Sequence, residues 1–158
     1  MQFLKSPRVI VSLVAASVIA VDQVTKTLAE MNLQTHSVKI LGPLSLNLFY
    51  NSGVADSIGS GNARIITIIE LLVIAGMILY VRRIRSPGLA VGFGMVIGGA
   101  LGNISDRLFR HNHGSVIDFI HTGFWPTFNL ADSAVVIGII VILFASRSKG
   151  SAAARGPG

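Results

Sequence analysis

The chain has 158 residues, of which 51% are hydrophobic and only 13% charged, and its mean hydropathy is +0.68. A soluble domain of this length needs far more polar surface, so the composition describes one integral membrane domain. Cysteine is absent, which excludes a disulfide framework and a thiolate metal site. The net charge of +6 does not indicate nucleic-acid binding, because the basic residues flank apolar runs instead of sharing a polar face.

The first apolar run is Val9 to Val21. Lys5 and Arg8 before it and Val18-Ile19-Ala20 near its end also fit a cleavable signal peptide. The stretch Asp22 to Lys26, which continues as a polar helix end, favours a retained first helix. Next comes VKILGPLSLNLFYN, Val38 to Asn51, where Leu44, Leu46 and Leu48 alternate with Ser45, Asn47 and Phe49 around a Gly42-Pro43 turn. That period of two predicts a short β-hairpin. The second apolar run, Ile65 to Val81, would span roughly 25 Å as a helix, near the hydrocarbon thickness. The third covers Leu89 to Ile104 and the fourth Ser133 to Ala145. Three of the four are short for spanning and should be extended by polar residues at one end. Between the last two, GSVIDFIH (Gly114 to His121) is again β-like, and Pro126 breaks the chain before the fourth helix. The predicted fold is a membrane all-α core of four transmembrane helices with a small extracytoplasmic β-sheet platform. The domain covers residues 1–147, and 148–158, small and patternless, is a disordered tail or an appended remnant.

Charge orients the helices. Lys5, Arg8, Arg82, Arg83, Arg85, Arg147, Lys149 and Arg155 cluster on the two ends and one short link, while Lys26, Lys39, Arg64, Arg107 and Arg110 are spread over the long loops. The positive-inside rule therefore puts both termini and the short link in the cytoplasm and the long loops outside.

Two carboxylates stand out. Asp118 is flanked by large apolar residues in VIDFI, and Asp132 precedes the fourth run, with a Pro-containing turn between them. If the chain folds back, the two share a desolvated site where both cannot ionise cheaply, so one holds a proton while the other acts as a base. Such a pair can activate water and protonate a leaving amine. The alternative is that each merely caps or solvates a helix end.

DQVTK (Asp22 to Lys26), YNSGVA (Tyr50 to Ala55), GGALGNISDR (Gly98 to Arg107), SVIDFI (Ser115 to Ile120) and FNLAD (Phe128 to Asp132) resemble, in order, the five blocks of the lipoprotein signal peptidase (signal peptidase II) family. The resemblance implies a bacterial inner-membrane aspartyl endopeptidase that removes signal peptides from prolipoproteins by cutting before the diacylglyceryl-modified cysteine. By the same resemblance Asp118 and Asp132 are the catalytic dyad, and Asn51, Asn103, Arg107, Asn129 and Ala131 shape the site and contact substrate or cyclic peptide inhibitors of the globomycin type. Asp22 and Lys26 would be structural beside the site, and Asp106 a buried ion pair or cap. The implied partners are lipidated prolipoproteins, membrane lipid and such inhibitors, with no nucleic acid, metal or cofactor. The family usually reads YNxGxAF, whereas Asp56 stands here at the phenylalanine position. That change bears on loop packing and on affinity for substrate or inhibitor, and it leaves the dyad untouched.

Three further features lie outside these blocks or run across them. Glu70, inside the second run, would suit a small proton-coupled exporter. That reading leaves the clustered Asp and Asn of the outer loops unexplained, and Glu70 is expected to be protonated or hydrogen-bonded between helices. His111, His113 and His121 lack metalloprotease spacing and are read as solvated interfacial histidines. Gly94, Gly98 and Gly102 recur every fourth residue, a stripe that lets another helix approach closely.

Overall fold

A computed structural model describes residues 6–53 and 62–153. Lys5, Asp56, Arg155 and the end of the tail at 154–158 lie outside them. The element order is α1 (Pro7–Asn32), β1 (Val38–Leu41), β2 (Leu44–Asn51), α2 (Asn62–Val81), α3 (Pro87–Phe109), β3 (Val116–His121) and α4 (Leu130–Ala153).

Each helix outruns its apolar core, and the additions are polar where the site lies. Helix α1 starts at Ser6-Pro7 and α3 at Ser86-Pro87; proline suits the first helical position because its missing N–H would be unpaired there anyway. Helix α1 passes Val21 and carries Asp22 and Lys26 on its buried side. Helix α4 begins at Leu130 and runs on to Ala153, so the helix continues past residue 147. Three helices, α1, α3 and Leu130–Arg147 of α4, are long and apolar enough to cross a membrane, and α2 contributes the shorter apolar stretch Ile65–Val81.

Helix α3 is the central one, and glycine makes its neighbours' approach possible. A methyl group at Gly98 would lie 2.8 Å from the Ala15 carbonyl oxygen of α1, and one at Gly94 would lie 2.9 Å from that of Val11. The predicted glycine stripe therefore faces α1. A second set, unread in the sequence, faces α4: a methyl at Gly99 would meet the Ala131 carbonyl at 2.5 Å, and Gly92 opposes Gly138. Helix α2 packs on α3 through stacked rings of Tyr80 and Phe93, 5.6 Å between centroids. Buried Val11, Ala15, Ile74, Ala90, Phe93 and Ile97 belong to the core between these helices. Outward, Val24, Leu28, Ile68, Leu72, Leu79, Ile140 and Leu143 are exposed, a continuous apolar exterior that suits lipid and not water.

The strands form one antiparallel sheet in the order β1-β2-β3. The expected hairpin is present, with Gly42 at positive φ in its turn. The second loop adds β3 beside β2, pairing Phe49 with Asp118 and Asn51 with Val116. Phe128 then bridges back to Ile120, its carbonyl accepting the N–H groups of Phe119 and Ile120. This return lays the start of α4 against β3. A second apolar cluster, Ala29, Leu33, Ile117 and Phe119, fixes the sheet to the end of α1.

Candidate active site

Pairing fixes which side chains meet. Asn51 and Asp118 sit two residues from each other's cross-strand partners, so they share one face of the sheet as diagonal neighbours. Asn51 Nδ2 donates to Asp118 Oδ2 at 2.8 Å, and Asn51 Oδ1 accepts the Gly53 N–H at 2.8 Å, so the backbone sets the amide's orientation. The other Asp118 oxygen accepts from Asn129 Nδ2 at 2.7 Å.

Asn129 and Asp132 form a reciprocal cap on α4. The Asp132 N–H donates to Asn129 Oδ1 at 2.9 Å, and the Asn129 N–H to Asp132 Oδ2 at 3.2 Å. This is the capping-box arrangement, with a carboxylate at the positive end of the helix. The capping alternative for Asp132 is thus fulfilled, but the cap occupies one oxygen only. Its Oδ1 accepts Asn103 Nδ2 at 2.8 Å. Asn129 Nδ2 also reaches Asn103 Oδ1 at 3.1 Å, so two amides bridge the two carboxylates.

Behind the amides lies a buried ion cluster. The Lys26 ammonium, fully buried, has three acceptors: Asp22 Oδ2 at 2.8 Å, Asp106 Oδ2 at 2.9 Å and Asn103 Oδ1 at 2.9 Å. All three of its protons are matched, which a buried ammonium requires. Its two carboxylates reach further. Asp22 Oδ1 accepts the Ala131 N–H at 3.1 Å, next to Asp132, and Asp106 Oδ2 accepts the Ile117 N–H at 3.0 Å, next to Asp118. Each aspartate of the pair is therefore held through the residue before it. The close approach needs Gly102, where a methyl would lie 2.6 Å from Asp22 Oδ2.

All of the predicted site residues except Arg107 fall into two groups. Asn51, Asn103, Asn129, Asp118 and Asp132 form one hydrogen-bonded unit, and Asp22, Lys26, Asp106 and Ala131 back it. Asp106 is indeed a buried ion pair and a backbone cap, yet its partners are Lys26 and, at 3.3 Å, Arg110, not the adjacent Arg107. Arg107 instead bonds Glu70 across α2 and α3 at 2.7 Å, so Glu70 is hydrogen-bonded between helices by an ionic partner. Arg107 Nε is buried without a partner among the described residues. Of the histidines, His111 and His113 are exposed and His121 Nδ1 lies 3.2 Å from Thr127 Oγ1.

Gln23 and Arg110 were not singled out in the sequence. Gln23 Nε2 donates to Asp106 Oδ1 at 2.8 Å, and Arg110 joins Glu30 of α1 to Asp106. The i,i+4 spacing of Asp106 and Arg110 was the available signal.

Asp118 is only 1% exposed. Burial pushes its carboxyl up to about 6; the Asn51 amide works against this by favouring the ionised form, and the nearby Asp132 charge adds to the rise. A proton near neutrality on one carboxyl, beside a second that accepts two N–H donors, is the equipment of a general acid–base pair.

Helices of membrane length, a sheet at one end of the bundle and a carboxylate pair between them define a membrane enzyme. Two solved structures titled as bacterial membrane enzymes have this fold: one superposes with a TM-score of 0.74 at 30% identity, covering 84% of this chain and 89% of that one. The other gives 0.76 at 28%, covering 92% and 91%. The family profile described as signal peptidase (SPase) II matches residues 14–147. The lipoprotein signal peptidase of Mycobacterium avium (strain 104) is 44% identical over 138 residues, 84% of this chain and 76% of that protein. That of Rhodococcus jostii (strain RHA1) is 40% identical over 141 residues, 86% and 71%. The chain belongs to the signal peptidase II family, and it is an aspartic-type signal peptidase with membrane-spanning helices.

Proposed function

We propose that this enzyme removes signal peptides from diacylglyceryl-modified prolipoproteins, cutting before the lipidated cysteine, with Asp118 and Asp132 as its catalytic dyad. The observation that carries the reading is the bridged pair: two carboxylates from different elements, joined through Asn103 and Asn129, with the Asp118 carboxyl up near 6.

The chemistry follows from one proton shared by two carboxyls. Asp132, ionised, takes a proton from a water whose oxygen attacks the scissile carbonyl carbon, while Asp118 gives its proton to the carbonyl oxygen. In the second step Asp132 passes its proton to the amide nitrogen, Asp118 recovers one from a hydroxyl of the tetrahedral intermediate, and the C–N bond breaks. The pair ends as it began. Asn51, Asn103 and Asn129 hold the carboxyls in register, Ala131 shapes the floor, and the free Nε of Arg107 is a donor for substrate or a cyclic peptide inhibitor of the globomycin type. No metal or cofactor enters these steps.

The protein sits in the bacterial inner membrane with four spans. Helix α2, at 20 residues about 30 Å long, is the fourth. Arg82, Arg83 and Arg85 in the α2–α3 link, with Arg8 and Arg147 at the ends, support cytoplasmic termini and an extracytoplasmic site beside bilayer lipid. The test is incubation of the detergent-purified protein with a diacylglyceryl-cysteine pro-lipopeptide. Cleavage before the lipidated cysteine is expected, and an intact peptide would overturn the proposal.

A further inference from the structure

Glu70 is the one acidic residue of α2, eight residues from its start at Asn62 and so about 12 Å along the helix. A carboxylate at that depth in an apolar helix needs a partner, and Arg107 of α3 supplies it. Glu70 has no part in the proton transfers above, yet the form of the pair is not that of a simple clamp between helices. Left to themselves, a carboxylate and a guanidinium join through two parallel N–H donors. Here one contact is made, from Arg107 Nη1 to Glu70 Oε2 at 2.7 Å. The Arg107 side chain is only 8% exposed. Its Nε, whose N–H points to the side of the guanidinium away from Nη1, is buried with no partner among the described residues. A buried donor left unmatched is unfavourable and points to an acceptor that arrives from outside.

Arg107 also stands one turn beyond Asn103 on α3, and residues four apart share a helix face. Asn103 Nδ2 lies 2.8 Å from Asp132 Oδ1, and the charges of Asp132 and Lys26 both reach Glu70 through space. A guanidinium beside an ionised aspartate pairs with it unless another anion holds it. Paired in that way, the Asp132 oxygen would be closed to the attacking water. Glu70 is the competing anion. It also neutralises the guanidinium, so the uncommitted N–H suits an uncharged acceptor, and an arriving peptide offers backbone carbonyls. We propose that Glu70 is a positioning residue for the peptidase reaction: it holds Arg107 by Nη1, keeps the cation off Asp132 and turns the Nε–H toward a backbone carbonyl of the signal peptide. This rests on the peptidase reading above and assigns α2 a part in it.

The test is steady-state kinetics on the diacylglyceryl-cysteine pro-lipopeptide, since KM does not depend on how much protein is folded. Glu70→Leu releases the guanidinium. It should raise KM about tenfold to a hundredfold, the range of one hydrogen bond from a charged donor, and lower kcat per folded molecule at least about tenfold. Glu70→Gln keeps an acceptor for Nη1 without the charge and should raise KM only about threefold. The double variant Glu70→Leu/Arg107→Leu removes both charges together, which a buried pair tolerates better than the loss of one. It should recover kcat while KM stays raised, and with Glu70→Gln it carries the test if Glu70→Leu does not fold. Independently, nitrogen-15 NMR of Asp132→Asn protein should show exchange of the Arg107 Nε–H slowed when the pro-lipopeptide is added. Adding Glu70→Leu should abolish that slowing. A wild-type KM in Glu70→Leu or in the double variant would overturn the proposal and leave Glu70 a helix clamp. So would a double variant with kcat no better than that of Glu70→Leu. A wild-type protein that leaves the lipopeptide intact would overturn the peptidase reading, and the Arg107 Nε–H signal then decides the positioning alone.

Discussion

Lys26 Nζ lies 2.9 Å from Asn103 Oδ1, while Asn103 Nδ2 lies 2.8 Å from Asp132 Oδ1. The first contact dictates the second. An ammonium has donors only, so the amide must turn its oxygen to Lys26 and its nitrogen to Asp132. A fully buried lysine on α1 thereby presents a donor to a carboxylate on α4 that it does not touch.

Replacing either partner should expose that dependence. Lys26→Met leaves Asp22 and Asp106 buried without their ammonium, and breaking a buried pair this way costs about 3–5 kcal/mol, so a large fall in melting temperature is expected. Asn103→Ala should cost less stability, because Lys26 keeps two carboxylates, yet cleavage per folded molecule should drop at least about tenfold, the effect of losing a 1.4 kcal/mol interaction with the reacting pair. In folded protein the two changes should be non-additive in rate. Additive losses would separate Lys26 from the site.

The raised Asp118 carboxyl has consequences for both rate and stability. If the active form holds one proton on the pair, kcat/KM follows a bell whose upper limb lies near 6, where Asp118 ionises in the free enzyme. For stability the sign is set by which state binds more protons. Between the unfolded value of 3.8 and the folded value of about 6 the folded state holds the extra proton, so this group's contribution falls as pH rises through that window. The wild type should lose, relative to Asp118→Asn, on the order of 2–3 kcal/mol from pH 4 to pH 8. Melting curves of both proteins at those pH values measure the difference, and a constant gap would refute the buried titration. The cleavage rate should also survive EDTA.

Orientation is tested separately. A reporter fused after Arg85 or after Lys149 should behave as cytoplasmic, and one fused near residue 61 as external, since the basic residues gather at the α2–α3 link and the chain ends. An external signal after Arg85 would remove α2 as a span.

What was legible in the sequence and what was not divide along physical lines. The hairpin showed because its leucines alternate with period two, and the Asp118–Asp132 pairing because a carboxylate among apolar residues needs a partner. The close approach of α1 to α3 showed in the regular Gly94-Gly98-Gly102 spacing. The α4 side of α3 did not, because Gly92 and Gly99 are two turns apart and meet Gly138 and the Ala131 backbone, a match made only in three dimensions. That the helices extend beyond their apolar runs through polar residues was legible, but how far was not: hydropathy ends at Val21, whereas α1 continues to Asn32 on buried ionic contacts. Ion partners were the least legible. Asp106 and Arg107 are adjacent in sequence, but neighbours on a helix point to different sides, so Asp106 met Lys26 and Arg107 met Glu70.

The dyad assignment is tested by Asp118→Asn and Asp132→Asn, whose structural effects differ in a way that helps. Both oxygens of each aspartate accept N–H donors, so each asparagine turns one NH2 toward a donor. At Asp132 the change also weakens the α4 cap, costing about 0.5–2 kcal/mol. At Asp118 that mismatch is offset above pH 6 by removal of a buried charge. Asp132→Asn should therefore melt lower than the wild type at pH 7, and Asp118→Asn close to it. Cleavage should not follow this order. If the carboxylates act as one unit, each single variant loses most of the rate and the double variant is little worse than either. Binding of a lipidated substrate or cyclic peptide inhibitor should largely persist in both, because Asn51, Asn103 and Arg107 remain in place. Rates must be divided by the folded fraction measured on the same detergent-purified sample. A purely capping role predicts that rate tracks melting temperature, so Asp118→Asn would stay active. A folded Asp132→Asn protein cutting near the wild-type rate would remove Asp132 from the chemistry and leave it a helix cap.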